Sequence, residues 1–377
     1  MGVQAAGAFI VALAIGAPAI LSPAAAKAQT SANAEAVRII ANARRIVNPE
    51  GIQRLERVRI GGIDQWVSIR GRDRRNPVLL AIHGGPGYVS MPMSWWDSRD
   101  WEDYFTVVEW DQRGAGKTYL LNDPAKVGPT ITRVRMLADA EEMVRWVRQD
   151  LSKNKIFVLG HSWGSYLGLE LASRHPEWLH AYIGVGQITD GPESERRGWD
   201  FALSAARRDG NAAAIKQLEA IAPYAAPGRP LELKDIYVQR RWLDHYGGVM
   251  AYRDENDAES DLAKLSPDYT AEERAHIWDG NDFSEQRLLA DVLSLDLSTI
   301  GHLDCPLILL EGRHDMNVNA DVAAAWFATV KAPAKRFVWF EHSAHLPMAE
   351  EPGKFLVSLV RTARPIAERA GDVPPAD

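Results

Sequence analysis

The rhythm of apolar and polar positions changes several times along this chain, and the changes divide it into segments. Val78-Leu79-Leu80-Ala81-Ile82 is a continuous apolar run that stops at His83-Gly84-Gly85, the pattern of a strand buried on both faces. Phe105-Thr106-Val107-Val108, Ile156-Phe157-Val158-Leu159 and Ala181-Tyr182-Ile183-Gly184-Val185 have the same character. Ahead of them, Arg57-Val58-Arg59-Ile60 and Trp66-Val67-Ser68-Ile69 flank Gly61-Gly62 as two early strands around a turn. Between strands the period lengthens. Val134, Leu137, Ala140, Val144, Val147 and Leu151 recur at spacings of three and four, which predicts an amphipathic helix. Strands alternating with helices predict an α/β fold: a mostly parallel central sheet with helices on both faces.

From Gln187 to Ile300 the alternation stops. This stretch is rich in Ala, Glu, Arg and Leu, is broken by Pro223, Pro227, Pro230 and Pro267, and contains no apolar strand. It reads as a helical cap over residues 187–300, inserted between a first core segment, 29–186, and a second, 301–368. The α/β pattern resumes with Leu307-Ile308-Leu309-Leu310, a helix over Val322–Thr329, the strand Phe337-Val338-Trp339-Phe340, and a last helix with Phe355, Leu356, Leu359 and Val360 on one side. Residues 369–377 hold two prolines and two aspartates beyond Ala370 and are expected to be a disordered tail.

The ends and the composition narrow the picture. Ala5 to Leu21 carries no charge, and Ala26-Lys27-Ala28 supplies a small-residue cleavage site before Gln29, so residues 1–28 read as a secretory signal peptide. Gly16 and Pro18 interrupt the apolar stretch, which falls short of the roughly 20 residues that a membrane span needs. The expectation is a secreted or periplasmic protein with no stable membrane insertion after cleavage. A net charge of −7 argues against nucleic acid as partner, because that binding requires a basic surface to displace counterions. Cys305 is the single cysteine, so no intrachain disulfide can form. Its apolar neighbours place it in a strand as a small buried hydrophobe.

The candidate chemistry begins at Ile156 to Ala172, a strand that runs into Gly160-His161-Ser162-Trp163-Gly164 and then a helix. This looks like the nucleophile elbow of the α/β-hydrolase fold, in which the serine sits on a strained turn and flanking glycines relieve the crowding. A serine hydroxyl needs a base to take its proton and a third group to hold that base, in the chain order Ser, acid, His. Asp315, in the loop past Leu310, and His345, in the loop past Phe340, stand at the carboxyl ends of their strands, where sites of open α/β sheets form. Glu311 and Asp304 are weighed as alternative acids. His342 and His314 are weighed as alternative bases. Each lies nearer its strand, or at the wrong end of it. Backbone N–H groups of Trp163 and of Gly85, with Gly84 as second choice, are the expected oxyanion hole. Gly114-Ala115-Gly116-Lys117-Thr118 resembles the end of a phosphate-binding loop, but Asp111 stands where that motif requires glycine. The expected mechanism needs no cofactor or metal and acts on a small molecule or short peptide. Oligomeric state is not encoded in any of these features.

His83-Gly84-Gly85-Pro86-Gly87, Trp110-Asp111-Gln112-Arg113-Gly114-Ala115-Gly116 and Gly160-His161-Ser162-Trp163-Gly164-Ser165 together resemble the proline iminopeptidase family of α/β-hydrolases. The resemblance implies an aminopeptidase that releases N-terminal residues through an acyl-enzyme. Its triad carries onto Ser162, Asp315 and His345, and its oxyanion hole onto Gly85 and Trp163. The chain departs from the family where Lys117-Thr118 follows the Asp-Gln-Arg-Gly motif, where Ser343-Ala344 precedes His345, and in a cap that lacks the expected Trp-Glu signature for the substrate amine. Asp190, Glu193 and Glu195 are the substitute carboxylates expected to bind substrate, with Asp254 and Glu255 as alternatives. A carboxylesterase, lactonase or amidase using the same triad on an uncharged acyl group is the competing function.

Overall fold

The computed structural model describes residues 23–254 and 257–375. Eight strands form one sheet in the order β1-β2-β4-β3-β5-β6-β7-β8. β1 (Ile52–Ile60) and β2 (Ile63–Gly71) make an antiparallel hairpin through Gly61 and Gly62, both at positive φ, the backbone that a two-residue hairpin turn requires. β2 also pairs antiparallel with β4 (Thr106–Asp111). From β4 onward the ladder is parallel, through β3 (Val78–Ile82), β5 (Ile156–His161), β6 (Leu179–Val185), β7 (Leu307–Gly312) and β8 (Lys335–Phe340). Every residue of β3, β4, β6 and β7 is buried, which explains their mostly apolar character, although β4 also buries Glu109 and Asp111 and β7 buries Glu311.

The two faces of the sheet build separate cores. Leu80, Val108 and Val158 point to one face and pack with Met136, Ala140 and Val144 of the helix Arg133–Asp150 and with Leu167 of the helix Trp163–Arg174. Leu79, Val107, Phe157 and Leu310 point to the other and pack under Phe355 and Leu359 of the helix Pro352–Thr362. Cys305 is buried in the first core, and burial pushes its thiol up to about 11. Val134, placed by its spacing on the buried stripe of its helix, is 82% exposed. It is the second residue of the helix Arg133–Asp150, in its first turn.

The helices of residues 191–293 enter between β6 and β7. Ala202, Leu203, Ala206, Leu218 and Trp242 give this insertion a core of its own. Met93, Ala115, Ala263, Tyr269 and Ile277 seal it onto the loops that follow β3 and β4. Lys117 is spent in that seal, its Nζ 2.8 Å from Glu273 and 3.0 Å from the Asp268 carbonyl, so the phosphate-loop look-alike is a structural joint.

One boundary differs from the sequence reading. Residues 370–375 of the expected disordered tail are anchored. Asp372 pairs with Lys153 and with His180 (3.0 Å), and Val373 packs on the second core. Proline and charge signalled disorder there, whereas the Lys153 ammonium group and a hydrogen bond with His180 hold the segment down. At the other end, residues 1–22 of the expected signal peptide lie outside the described residues, and residues 23–28 belong to the helix Pro23–Ala43. Among the described residues no helix is long and apolar enough to cross a membrane.

Candidate active site

Ser162 stands at the end of β5 with φ 52° and ψ −118°, a conformation that costs a non-glycine residue of order 1–3 kcal/mol and persists only where its surroundings enforce it. The enforcement is visible. Ser162 N–H donates to the Val185 carbonyl at 2.9 Å, and its own carbonyl accepts from Ser165 N at 2.8 Å and Ser165 Oγ at 2.6 Å. A methyl group added to Gly160 would stand 2.3 Å from the Gly164 carbonyl oxygen, and one on Gly164 would stand 2.1 Å from that of Ile82. Both glycines are therefore obligatory for the close approach of helix to sheet. Trp163 opens the helix, so its N–H has no partner inside it.

Asp315 and His345 meet although thirty positions separate them. Asp315 Oδ1 accepts from Asn317 N and Val318 N, each at 2.9 Å, and Oδ2 lies 2.7 Å from His345 Nδ1. A carboxylate so held requires Nδ1 to carry the proton, leaving Nε2 as the basic nitrogen. The imidazole loop is fixed from three sides. His345 N–H donates to the Val249 carbonyl at 2.9 Å. Its carbonyl accepts from His161 Nε2 at 2.9 Å. Gly186, whose φ is +53°, leaves no space for a methyl group, which would lie 2.7 Å from His345 Cε1. Burial, followed by the charge of His345, pushes His161 down to about 3, so it stays neutral and serves as a fixed donor. Among the described residues the Ser162 hydroxyl makes no hydrogen bond. Contacts of this kind commonly tighten only when substrate is bound.

The rival residues are placed elsewhere. His342 is exposed, and His314 Nε2 contacts Tyr252 Oη at 3.0 Å and the Glu341 carbonyl at 3.2 Å. Asp304 pairs with His302 at 2.9 Å. Glu311 is fully buried and accepts from Gln187 N at 3.1 Å, supporting the turn that carries Gly186.

The loop after β3 reaches the elbow through Gly84. A methyl group on Gly84 would stand 3.2 Å from Ser162 Cβ, while Gly85 takes φ +107° to turn the chain. Gln112 ties this loop to the elbow, since its Oε1 accepts from Trp163 Nε1 at 3.0 Å and its Nε2 donates to the His83 carbonyl at 3.3 Å. The Asp-Gln-Arg-Gly segment is thus a brace beneath the loop that follows β3. Arg113 anchors the brace through buried Asp139 at 2.7 Å.

The substrate-binding carboxylates expected from the sequence are otherwise engaged. Asp190 caps a helix by accepting from Glu193 N at 2.9 Å. Glu193 pairs with Arg196 and, at 2.7 Å, with Arg197. Glu195 is buried against Arg240 and accepts from Tyr224 Oη at 2.6 Å. Three carboxylates already paired with cations or backbone do not supply free negative charge, which corrects that assignment. Asp254 is exposed, and Glu255 lies outside the described residues.

A different carboxylate lies beside the elbow. A cavity of about 50 Å³ beside the elbow is lined by Gly84, His161, Tyr88 and Glu259, with Asp97 and Glu109 also on its wall. Glu259 is buried, accepts from Tyr88 Oη at 2.7 Å, and is near enough to His345 to feel its charge. Sequence reasoning missed it because Glu259 lies in a polar run, Asp254 to Asp261, that reads as solvated surface.

A family model described as the alpha/beta hydrolase fold matches residues 77–352. The chain belongs to the α/β-hydrolase fold family. A Bacillus subtilis protein named "Probable aminopeptidase YbaC" is 28% identical to this hydrolase over 85% of the chain and 99% of its own length. A proline iminopeptidase of Saccharolobus solfataricus is 24% identical over 79% of this chain and 88% of its own. Among solved structures, a proline iminopeptidase-related protein of Thermus thermophilus superposes with a TM-score of 0.61 at 18% identity, covering 84% of this hydrolase and 99% of itself, a likeness of fold.

Proposed function

We propose that this hydrolase is a serine aminopeptidase that removes N-terminal residues from short peptides. The observation that carries the reading is Glu259, a buried carboxyl group held by Tyr88 at a cavity beside the elbow and bonded to no cation among the described residues. An incoming α-ammonium group is the natural partner for such a group, because a buried charge is stable only when paired.

In the proposed reaction His345 Nε2 takes the Ser162 proton as Oγ attacks the carbonyl carbon. The N–H of Trp163 and those of the Gly84–Gly85 segment stabilise the oxyanion. The C–N bond then breaks and the same proton passes from Nε2 to the leaving amine. Water, deprotonated by His345, repeats the sequence on the acyl-enzyme. Asp315 holds the imidazole tautomer throughout.

Purified enzyme is expected to cleave proline or alanine p-nitroanilide, and Glu259→Gln to lower kcat/KM on those anilides by roughly 30-fold or more, the usual loss when one partner of a buried charge pair is removed. Cleavage of p-nitrophenyl esters with no turnover of any aminoacyl anilide would instead establish the esterase function.

The leader composition of residues 1–28 supports export with removal of that segment. N-terminal sequencing of the exported protein is expected to begin at Gln29, and retention of the leader in the mature protein would refute this.

A further inference from the structure

The same cavity contains more acid than one α-ammonium group needs. Ala81 on β3 is flanked in register by Glu109 on β4 and Leu159 on β5, and all three line it. His161, at the elbow, is two residues further along β5, so the cavity extends back from the nucleophile by about 7 Å at the usual strand rise. The small side chain of Ala81 leaves this space open. Along the walls Met93, Trp101, Leu346 and Met348 present apolar surface. At the far end stand Glu109 and Asp97.

Glu109 occupies a strand whose neighbours, Val107, Val108 and Trp110, are core residues. It is 4% exposed and accepts one hydrogen bond, from Ser98 Oγ at 3.1 Å. Its second oxygen has no hydrogen-bond partner among the described residues, and packing alone gives no reason for a carboxyl group there. Arg44, the nearby cation, bonds to Glu102 and Asp268, each at 3.0 Å, and its charge offsets the burial of Glu109 only in part. Burial raises Glu109 to about 7, and burial together with Glu109 and Glu259 raises Asp97 well above the carboxylate range. A cation at that end would reverse both shifts and restore the ionised forms.

We propose that Asp97 and Glu109 form the far wall of a side-chain pocket that selects peptides with a basic N-terminal residue: lysine, ornithine or arginine. The proposal rests on the aminopeptidase reading. Glu259 takes the α-ammonium group near the nucleophile, the apolar walls take the methylene stem, and the acid pair takes the second cation. The four-carbon stem of lysine is of comparable length to the distance from the elbow row to Glu109. Proline and alanine leave the far wall untouched.

The test compares kcat/KM for lysine and norleucine p-nitroanilides, which share a stem and differ in the terminal ammonium group, alongside proline and alanine anilides and p-nitrophenyl esters. The expected result is a lysine-to-norleucine ratio of about ten or more, since a site with buried polar groups rejects an analogue that leaves them unpaired. The ratio should collapse towards one in the double variant D97N/E109Q, with fluorophosphonate labelling of Ser162 confirming that the variant is folded. If the variant does not fold, the wild-type ratio decides. Turnover of proline, alanine and norleucine anilides with no advantage for lysine overturns this inference and leaves the aminopeptidase standing. Ester cleavage without turnover of any anilide overturns both.

Discussion

At the scale of single residues, the site depends on positions where a methyl group cannot be added. Gly164 and Gly160 shape the elbow, and Gly186 leaves room for the imidazole, with its would-be Cβ 2.7 Å from His345 Cε1. Alanine at 186 therefore meets both a left-handed backbone and the edge of the base. Gly186→Ala is expected to lower kcat by about 100-fold, the order of loss that follows a displacement near 1 Å, in a protein that still folds. Steady-state kinetics beside a thermal melt would check this, and an unchanged kcat would mean that the imidazole position is not set by this turn. The serine, acid and histidine were legible in the sequence because each has a local signature of strand, turn and loop. Glu259 was not, because the hydroxyl that bonds to it belongs to Tyr88, 171 positions away.

At the scale of elements, β4 carries an unusual load. Glu109 and Asp111 both project from it, and burial raises each to about 7. Asp111 accepts from Lys117 N at 2.8 Å and from the Tyr269 hydroxyl, yet Oδ1 has no partner among the described residues. The folded state holds these protons at pH values where the unfolded chain has released them, so their contribution to stability declines as pH rises from about 4 to 7. Asp111→Asn is expected to remove part of that decline, on the order of a few kcal/mol between those limits. Urea unfolding at a series of pH values measures it, and parallel curves for the two proteins would contradict the assignment. The strand was evident from its apolar run, but the acids in it were not interpretable without knowing what packs above them.

At the scale of the whole molecule, the cap helps to assemble the site. The Val249 carbonyl holds His345 N–H at 2.9 Å, and the Gly248 carbonyl holds Met316 N–H at 3.0 Å, one residue from Asp315. Glu350 spans the junction, accepting from Ala344 N at 2.8 Å on the histidine loop and from Ala251 N at 2.6 Å on the cap side. Glu350→Ala would leave two backbone donors without partners. The expected outcome is a stability loss of about 1–3 kcal/mol, together with faster proteolysis of the cap segment and a lower kcat/KM. A variant as active and as protease-resistant as the parent would show that the junction is held by its other contacts.

Periodicity was enough to reveal a mostly parallel sheet and the alternation of strands and helices along the chain, because burial on both faces forces an apolar run at most strands. Motif spacing was enough to identify the elbow, because only glycine tolerates the approach of helix to sheet at Gly160 and Gly164. Which carboxyl groups meet a cation and which do not was decided only by the folded chain. Asp190, Glu193 and Glu195 look as free in the sequence as Glu259, and the difference is the partner each meets in three dimensions. Charge availability depends on long-range pairing and desolvation, and neither leaves a local pattern.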